Sequence, residues 1–270
     1  MSGAVDIWVN LLPPEALAAF TGQPGFEGIG DLFGEFGDAS GLDVLIGVMD
    51  RCGVDAGIMV GGLSAGTEDM LNLADKHPGR LYVAAMVDAP STPTANARRV
   101  RELRASFAGF RLVRVAPLVS QVPINDRLWY PVYAACEELG VPVAINVGVP
   151  GPRVRSACQD PVLLEDVLID FPDLVVIGAH MGHPYEALLM QYMLKWPNLY
   201  LSTTAYLPKY MDPALVKFMD SSRGRGRVVF GSDHPFLSLP RAIESARALP
   251  LSADAMDAFL GGTARRLLLP

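Results

Sequence analysis

A (β/α)8 barrel of the TIM type is the fold class this sequence predicts, and three observations predict it. Eight short runs rich in β-branched residues alternate with segments of helical spacing. Those runs are nearly continuous in apolar residues, the pattern of a parallel sheet buried on both faces. No glycine-rich loop follows the first run, which removes the signature of an open doubly wound sheet. A chain of 270 residues is an ordinary size for eight such units closed as one domain, here 1–270.

The strands are expected at Ala4–Val9, Ala56–Gly61, Leu81–Val87, Gly109–Val115, Val141–Val147, Leu174–Ala179, Leu199–Ser202 and Arg227–Gly231. Helical spacing falls between them, over Leu42–Cys52, Glu68–His77, Thr94–Phe107, Asp126–Leu139, Pro161–Phe171, Pro184–Trp196 and Pro213–Ser221. Several open on a cap or a first-turn proline, as in Ser91-Thr92-Pro93 and Asp160-Pro161. Leu251–Leu269 reads as a C-terminal helix packed on the outside. One connection breaks the rhythm. After the first strand, Leu11–Gly41 holds Phe20, Phe26, Phe33 and Phe36 among glycines and acidic residues. Connections this long are uncommon unless functional or disordered. In a barrel it lies on the active-site face, either as an aromatic lid or as an insertion over the mouth or a dimer contact.

Half the residues are hydrophobic, enough to bury a sizeable core. The net charge of −7 argues against a nucleic-acid surface, which needs a basic face. The cluster Arg98, Arg99, Arg101 and Arg104 is expected on a solvated helix face. Cys52, Cys136 and Cys158 form no C-x-x-C pair and are odd in number. With no basic, apolar leader and no apolar run of spanning length, the expectation is a soluble, cytoplasmic protein without membrane partners.

Reactive groups of a barrel stand at the C-terminal ends of its strands. Those ends offer Trp8 and Asn10, Asn146, then His180 in Gly178-Ala179-His180-Met181-Gly182-His183-Pro184, and Asp233 in Gly231-Ser232-Asp233-His234-Pro235. Strand alternation puts Asp6, Trp8 and Asn10 on one face. His183 and His234, each before a proline, are expected as loop or supporting residues.

These segments, with Trp196-Pro197-Asn198-Leu199-Tyr200, resemble the amidohydrolase-related family, which includes aminocarboxymuconate-semialdehyde decarboxylase and γ-resorcylate decarboxylase. The resemblance runs through the chain in order. It implies a barrel holding one divalent ion, bound by a His-x-His on the first strand, a histidine ending the fifth and an aspartate ending the eighth. A histidine after the sixth strand serves as acid/base. Asp233 and His180 match the last two roles. The other positions carry Trp8, Asn10 and Asn146, so three of four ligands are replaced.

Imidazole binds zinc strongly, a neutral amide oxygen weakly and an indole not at all. No cofactor is therefore expected; were a divalent metal such as Zn or Mn retained, Asp233 with Asn10, Asn146 and His180 would be its donors. Without it, His180 and Asp233 are the expected acid/base pair. The two asparagines offer donors to a developing oxyanion. Arg111 or Arg114 on the fourth strand, whichever faces the lumen, and Arg153 are candidate clamps for a carboxylate; Arg111 is taken with Arg153. Trp8, Phe20 and Tyr206 suit a flat ligand. The quieter readings are a hydrogen-bonded core histidine at 180 and a turn cap at 233.

The expected function is metal-independent hydrolysis of a small carboxylated or cyclic substrate, at a lactone, amide or C–C bond, with His180 and Asp233 as acid/base. The alternatives are a non-oxidative decarboxylase of an aromatic or enoic acid, and a non-catalytic ligand-binding barrel. The resemblance also implies a homodimer.

Overall fold

The computed structural model describes residues 3–12, 14–29, 41–62, 66–87 and 90–270. Phe33 and Phe36 of the expected lid lie outside the described residues. Eight strands, β1 (Ala4–Val9), β2 (Val54–Gly62), β3 (Leu81–Val87), β4 (Phe110–Val115), β5 (Val143–Asn146), β6 (Val176–Ala179), β7 (Leu199–Ser202) and β8 (Val228–Val229), form one sheet in sequence order. Every neighbouring pair is parallel. Backbone bonds close the ring between β1 and the segment after β8. Ile7 N–H donates to Phe230 at 3.3 Å, Asp233 N–H to Trp8 at 2.9 Å, and Asn10 N–H to His234 at 2.7 Å. This is the expected barrel, with its last strand short because the chain after Val229 turns across β1.

The helices are α1 (Pro14–Thr21), α2 (Leu42–Cys52), α3 (Thr67–Ala74), α4 (Pro93–Ser106), α5 (Pro117–Ser120), α6 (Tyr130–Leu139), α7 (Leu164–Asp170), α8 (Glu186–Lys195), α9 (Pro213–Asp220), α10 (Leu239–Arg247), α11 (Ala253–Asp257) and α12 (Thr263–Leu268). Helix α1 lies inside the stretch read from sequence as a loop. Helix α10 was not expected, although Leu239, Ala242, Ile243 and Ala246 have helical spacing and are all buried. The C-terminal stretch is not one helix: a π-turn, Ala258–Gly262, joins α11 to α12. Helix α8 starts at Glu186, two residues beyond Pro184. Among the described residues, no helix is long and apolar enough to cross a membrane.

The core has two layers. Ile7, Trp8, Ile58, Leu112, Ile177, Tyr200 and Val229 meet within the sheet, and Leu45, Met49, Val100, Tyr133, Val167 and Leu189 fill the space under the helices. Outside, Arg99 pairs with Glu68 and Arg101 with Glu138, so the basic cluster is the solvated face its sequence predicts. The three cysteines are buried and free.

Strand β1 corrects one expectation. Its pairing with β2 shifts between Asp6 and Val9, so strict alternation fails there. Ile7 and Trp8 both join the inner layer. Asp6, wholly buried, accepts from the Trp8 and Ser232 backbone N–H groups at 3.0 and 2.9 Å and from the Ser232 hydroxyl. It ties the turn bearing Asp233 to β1.

Candidate active site

At the C-terminal ends of the strands lies a cavity of about 570 Å3, within the range of ordinary small-molecule sites. Its walls are mainly apolar, from Phe20, Phe26, Met86, Leu118, Leu207 and Phe236. Asn10, Arg114, Asn146, His180, Tyr206 and Asp233 converge on it. Phe20 stacks against Phe26 and Phe236, with ring centroids 5.0 and 5.1 Å apart, so α1 and the turn after it form an aromatic wall over the barrel mouth.

Asp233 occupies the left-handed region (φ 67°), a cost the flanking bonds to Trp8, Asn10 and Asp6 offset. Asn10 Nδ2 donates to Asp233 Oδ1 at 2.9 Å and to the His234 carbonyl at 3.0 Å. Burial raises the Asp233 carboxyl from 3.8 to about 6, against the opposing influence of Arg114, Asn10 and Trp8. The Trp8 indole N–H lies near this carboxylate and steadies its charge without meeting full hydrogen-bond geometry. Among the described residues, Asp233 is the only carboxylate lining the cavity.

His180, in the turn after β6, also has positive φ (65°), and its backbone N–H donates to the Thr204 hydroxyl at 2.8 Å. Its ring meets the Trp8 indole edge-on, 5.0 Å between centroids. Burial first, and then the Arg114 charge, lower His180 from 6.5 to about 3, so the imidazole is neutral at physiological pH. Its residual exposure is toward the cavity. No hydrogen bond joins His180 to Asp233, and the His180 Nδ1 has no partner among the described residues. The two residues share one cavity.

Three other expectations, for Trp8, Arg111 and Arg153, differ from what the structure shows. Trp8 is 1% exposed and is not part of the cavity wall; the indole is the shelf beneath Arg114, whose guanidinium carbon stands 3.0 Å from the ring centroid. Arg111 lies at the other end of β4, beside Arg104, Gly140 and Leu267–Leu269, with its guanidinium 5.7 Å from the Tyr82 ring centroid. The arginine at the cavity is Arg114, 8% exposed, with Nη1 donating to Asn10 Oδ1 at 3.4 Å. Arg153 is exposed and off the cavity wall; its backbone N–H donates to the Gly25 carbonyl at 2.7 Å, tying that loop to the turn after α1. Asn146 and Tyr206 do line the cavity, and the Tyr206 ring leans on His183, 5.7 Å away. His183 Nδ1 bonds Glu186 at 2.7 Å, and the buried His234 Nδ1 accepts from the Leu239 N–H at the start of α10 at 3.4 Å. Both histidines support turns.

The divalent ion implied by the resemblance does not fit these residues. Among the described residues no three His, Cys, Asp or Glu side chains gather where an ion could be held. Asn10 turns its donor, not its oxygen, to Asp233, and its oxygen faces Arg114. The guanidinium already places a positive charge against the one carboxylate, which disfavours a second cation.

The amidohydrolase family model matches residues 5–269. Among curated proteins no relative matches. Similar solved structures include an uncharacterised TIM-barrel protein from Bordetella bronchiseptica, at 26% identity over 97% of this chain and 98% of that one, with a TM-score of 0.80. A 2,6-dihydroxybenzoate decarboxylase from Rhizobium superposes at TM-score 0.76, with 16% identity over 99% and 98% of the two chains. A 5-carboxyvanillate decarboxylase from Novosphingobium aromaticivorans, in complex with manganese and 4-hydroxy-3-methoxy-5-nitrobenzoic acid, gives 0.71 and 16% over 98% and 95%. At 16% identity these two establish likeness of fold.

Proposed function

Because the chain belongs to the amidohydrolase family, we propose that it is a hydrolase that cleaves a small carboxylated or cyclic substrate at an ester-, lactone- or amide-type bond without a divalent ion. The observation that carries this reading is Asp233, among the described residues the only carboxylate lining the cavity, raised to about 6 and held in place by Asn10. At neutral pH most of it is ionised, yet it is basic enough to take a proton from water. The water oxygen attacks the substrate carbonyl carbon as its proton passes to Asp233. The carbonyl oxygen gathers charge beside the Asn146 amide and the Arg114 guanidinium. The bond to the leaving oxygen or nitrogen then breaks, and Asp233 returns the proton to that atom. His180, neutral, offers a hydrogen bond to the reacting groups rather than a charge.

The test is hydrolysis of phenyl acetate and dihydrocoumarin with chelator present, followed against pH. A base must be ionised to act, so kcat/KM is expected to rise through pH 6 and level off above it. Asp233→Asn is expected to lower kcat by roughly 100-fold or more with the fold intact. Activity that vanishes with chelator and returns with Mn2+ would refute the metal-free reading.

A second reading, a decarboxylase, is favoured by the same raised carboxyl and by the substrates named for the structurally similar enzymes. At pH 7 about a tenth of Asp233 is protonated and able to deliver a proton to carbon. Its signature is the opposite limb: rate falling through pH 6, with release of CO2.

A further inference from the structure

Arg114 is buried and charged, and its donors are largely unused. A guanidinium carries five N–H donors. Here Nη1 makes one long bond to Asn10, while Nε has no partner among the described residues. On the same cavity, the buried His180 Nδ1 also has no partner among the described residues. Buried donors left unpaired are costly, and a guanidinium with unused donors on a cavity wall calls for a ligand that accepts hydrogen bonds.

The position of the guanidinium gives the second half of the inference. It stacks on Trp8, bonds Asn10 and is electrostatically coupled to Asp233. These are three of the four positions that the family resemblance assigns to metal ligands. The indole that cannot bind an ion is the surface on which the arginine rests, and the amide that replaces the second histidine holds it by one nitrogen. The changes at 8 and 10 thus accommodate an arginine.

We propose that Arg114 is the resident cation of this site, standing where relatives hold a divalent ion, and that it binds the carboxylate of an acid with an apolar, ring-sized body. A guanidinium matches a planar carboxylate better than any other side chain. Phe20, Phe26, Met86, Leu118, Leu207 and Phe236 supply the surroundings for the body. This rests on the cavity being the substrate site but not on which bond is cleaved.

The experiment is calorimetric titration of the full-length protein, with chelator present, using 2-naphthoate and its neutral isostere 2-naphthamide. The acid is expected to bind about tenfold or more tighter than the amide, the effect of hydrogen bonds to a charged group. Arg114→Met is expected to abolish that preference while the amide's affinity changes little. Equal binding of acid and amide to the unmodified protein, or a preference that survives Arg114→Met, overturns the proposal. So does an acid preference that appears only after Mn2+ or Zn2+ is added. Should Arg114→Met not fold, the ratio in the unmodified protein decides, with Arg114→Lys expected to keep a weaker preference. Acids that bind this way while no ester, lactone or amide is hydrolysed would retire the hydrolytic reading and leave the anion site standing.

Discussion

Asp6 shows how a residue that never meets a ligand can govern the site. Its carboxyl receives three hydrogen bonds from the Trp8 and Ser232 groups, and burial still raises it from 3.8 to about 7. The folded state therefore holds a proton that the unfolded chain has released between about pH 4 and pH 7. The resulting stability is present in full below pH 4 and is lost as pH rises through 7. Asp233, raised to about 6, acts in the same direction over a narrower window. Urea unfolding is expected to give a stability lower at pH 8 than at pH 5, with Asp6 responsible for roughly 2–3 kcal/mol of the difference. Asp6→Asn keeps an acceptor for the backbone donors and should shrink that difference; an unchanged slope in the variant would remove Asp6 from the account. Legibility at this scale was uneven. His180 and Asp233 stood out because glycine-bounded turns after β6 and β8 mark strand ends. Arg114 did not, since two arginines three residues apart on one strand point to opposite faces and sequence leaves the register open. Trp8 was misplaced because a shift in β1 pairing undoes alternation.

Elements hold the site through close backbone contacts more than through side chains. After β5, Gly148 has φ +90°, and a Cβ there would lie 2.6 Å from Gly182 C and from the His183 carbonyl oxygen. The turn carrying His180 thus packs on bare backbone. Gly140, at the end of α6, has φ +62° but open space around its Cβ position. Gly148→Ala is expected to cost about 2–4 kcal/mol of stability and Gly140→Ala about 1, read from urea midpoints. Equal costs would show that conformation alone, and not the contact with the His180 turn, sets the requirement for glycine. At the opposite end, Arg227 donates to the carbonyls of Met193, Trp196, Pro197 and Leu199, closing the end of α8 before β8 begins. Helix α10 was legible in principle, with Ser238 before Leu239-Pro240 and a buried i, i+3, i+4, i+7 stripe. Helix α1 was not, because its short apolar run sits among glycines and has no partner in sequence.

For the whole molecule, barrel closure depends on the β1 to β8 junction, and the candidate-site residues Asn10 and Asp233 lie in that junction. Trp8, Asn10, Asp233 and His234 all carry backbone bonds that complete the ring. Folding and site assembly are therefore one event, and Arg114 packs against this junction through Trp8 and Asn10. A ligand that binds only the folded state adds stability by mass action. Thermal unfolding is accordingly expected to be unchanged by chelator or by added Mn2+ and Zn2+. A ring-sized carboxylic acid at about 100 times its Kd should add about 2.7 kcal/mol. A melting temperature that drops on chelation would show that an ion takes part in holding the fold.

Composition, periodicity and the spacing of eight apolar runs determined the barrel, because each strand and helix announces its buried face within its own ten or so residues. The same local signals placed the histidine and aspartate turns at strand ends. Which arginine enters the lumen, what the indole at position 8 supports and which carboxylates are pushed toward neutral pH were decided only in three dimensions. Register, burial and charge proximity arise between segments far apart in the chain, and no local pattern encodes them.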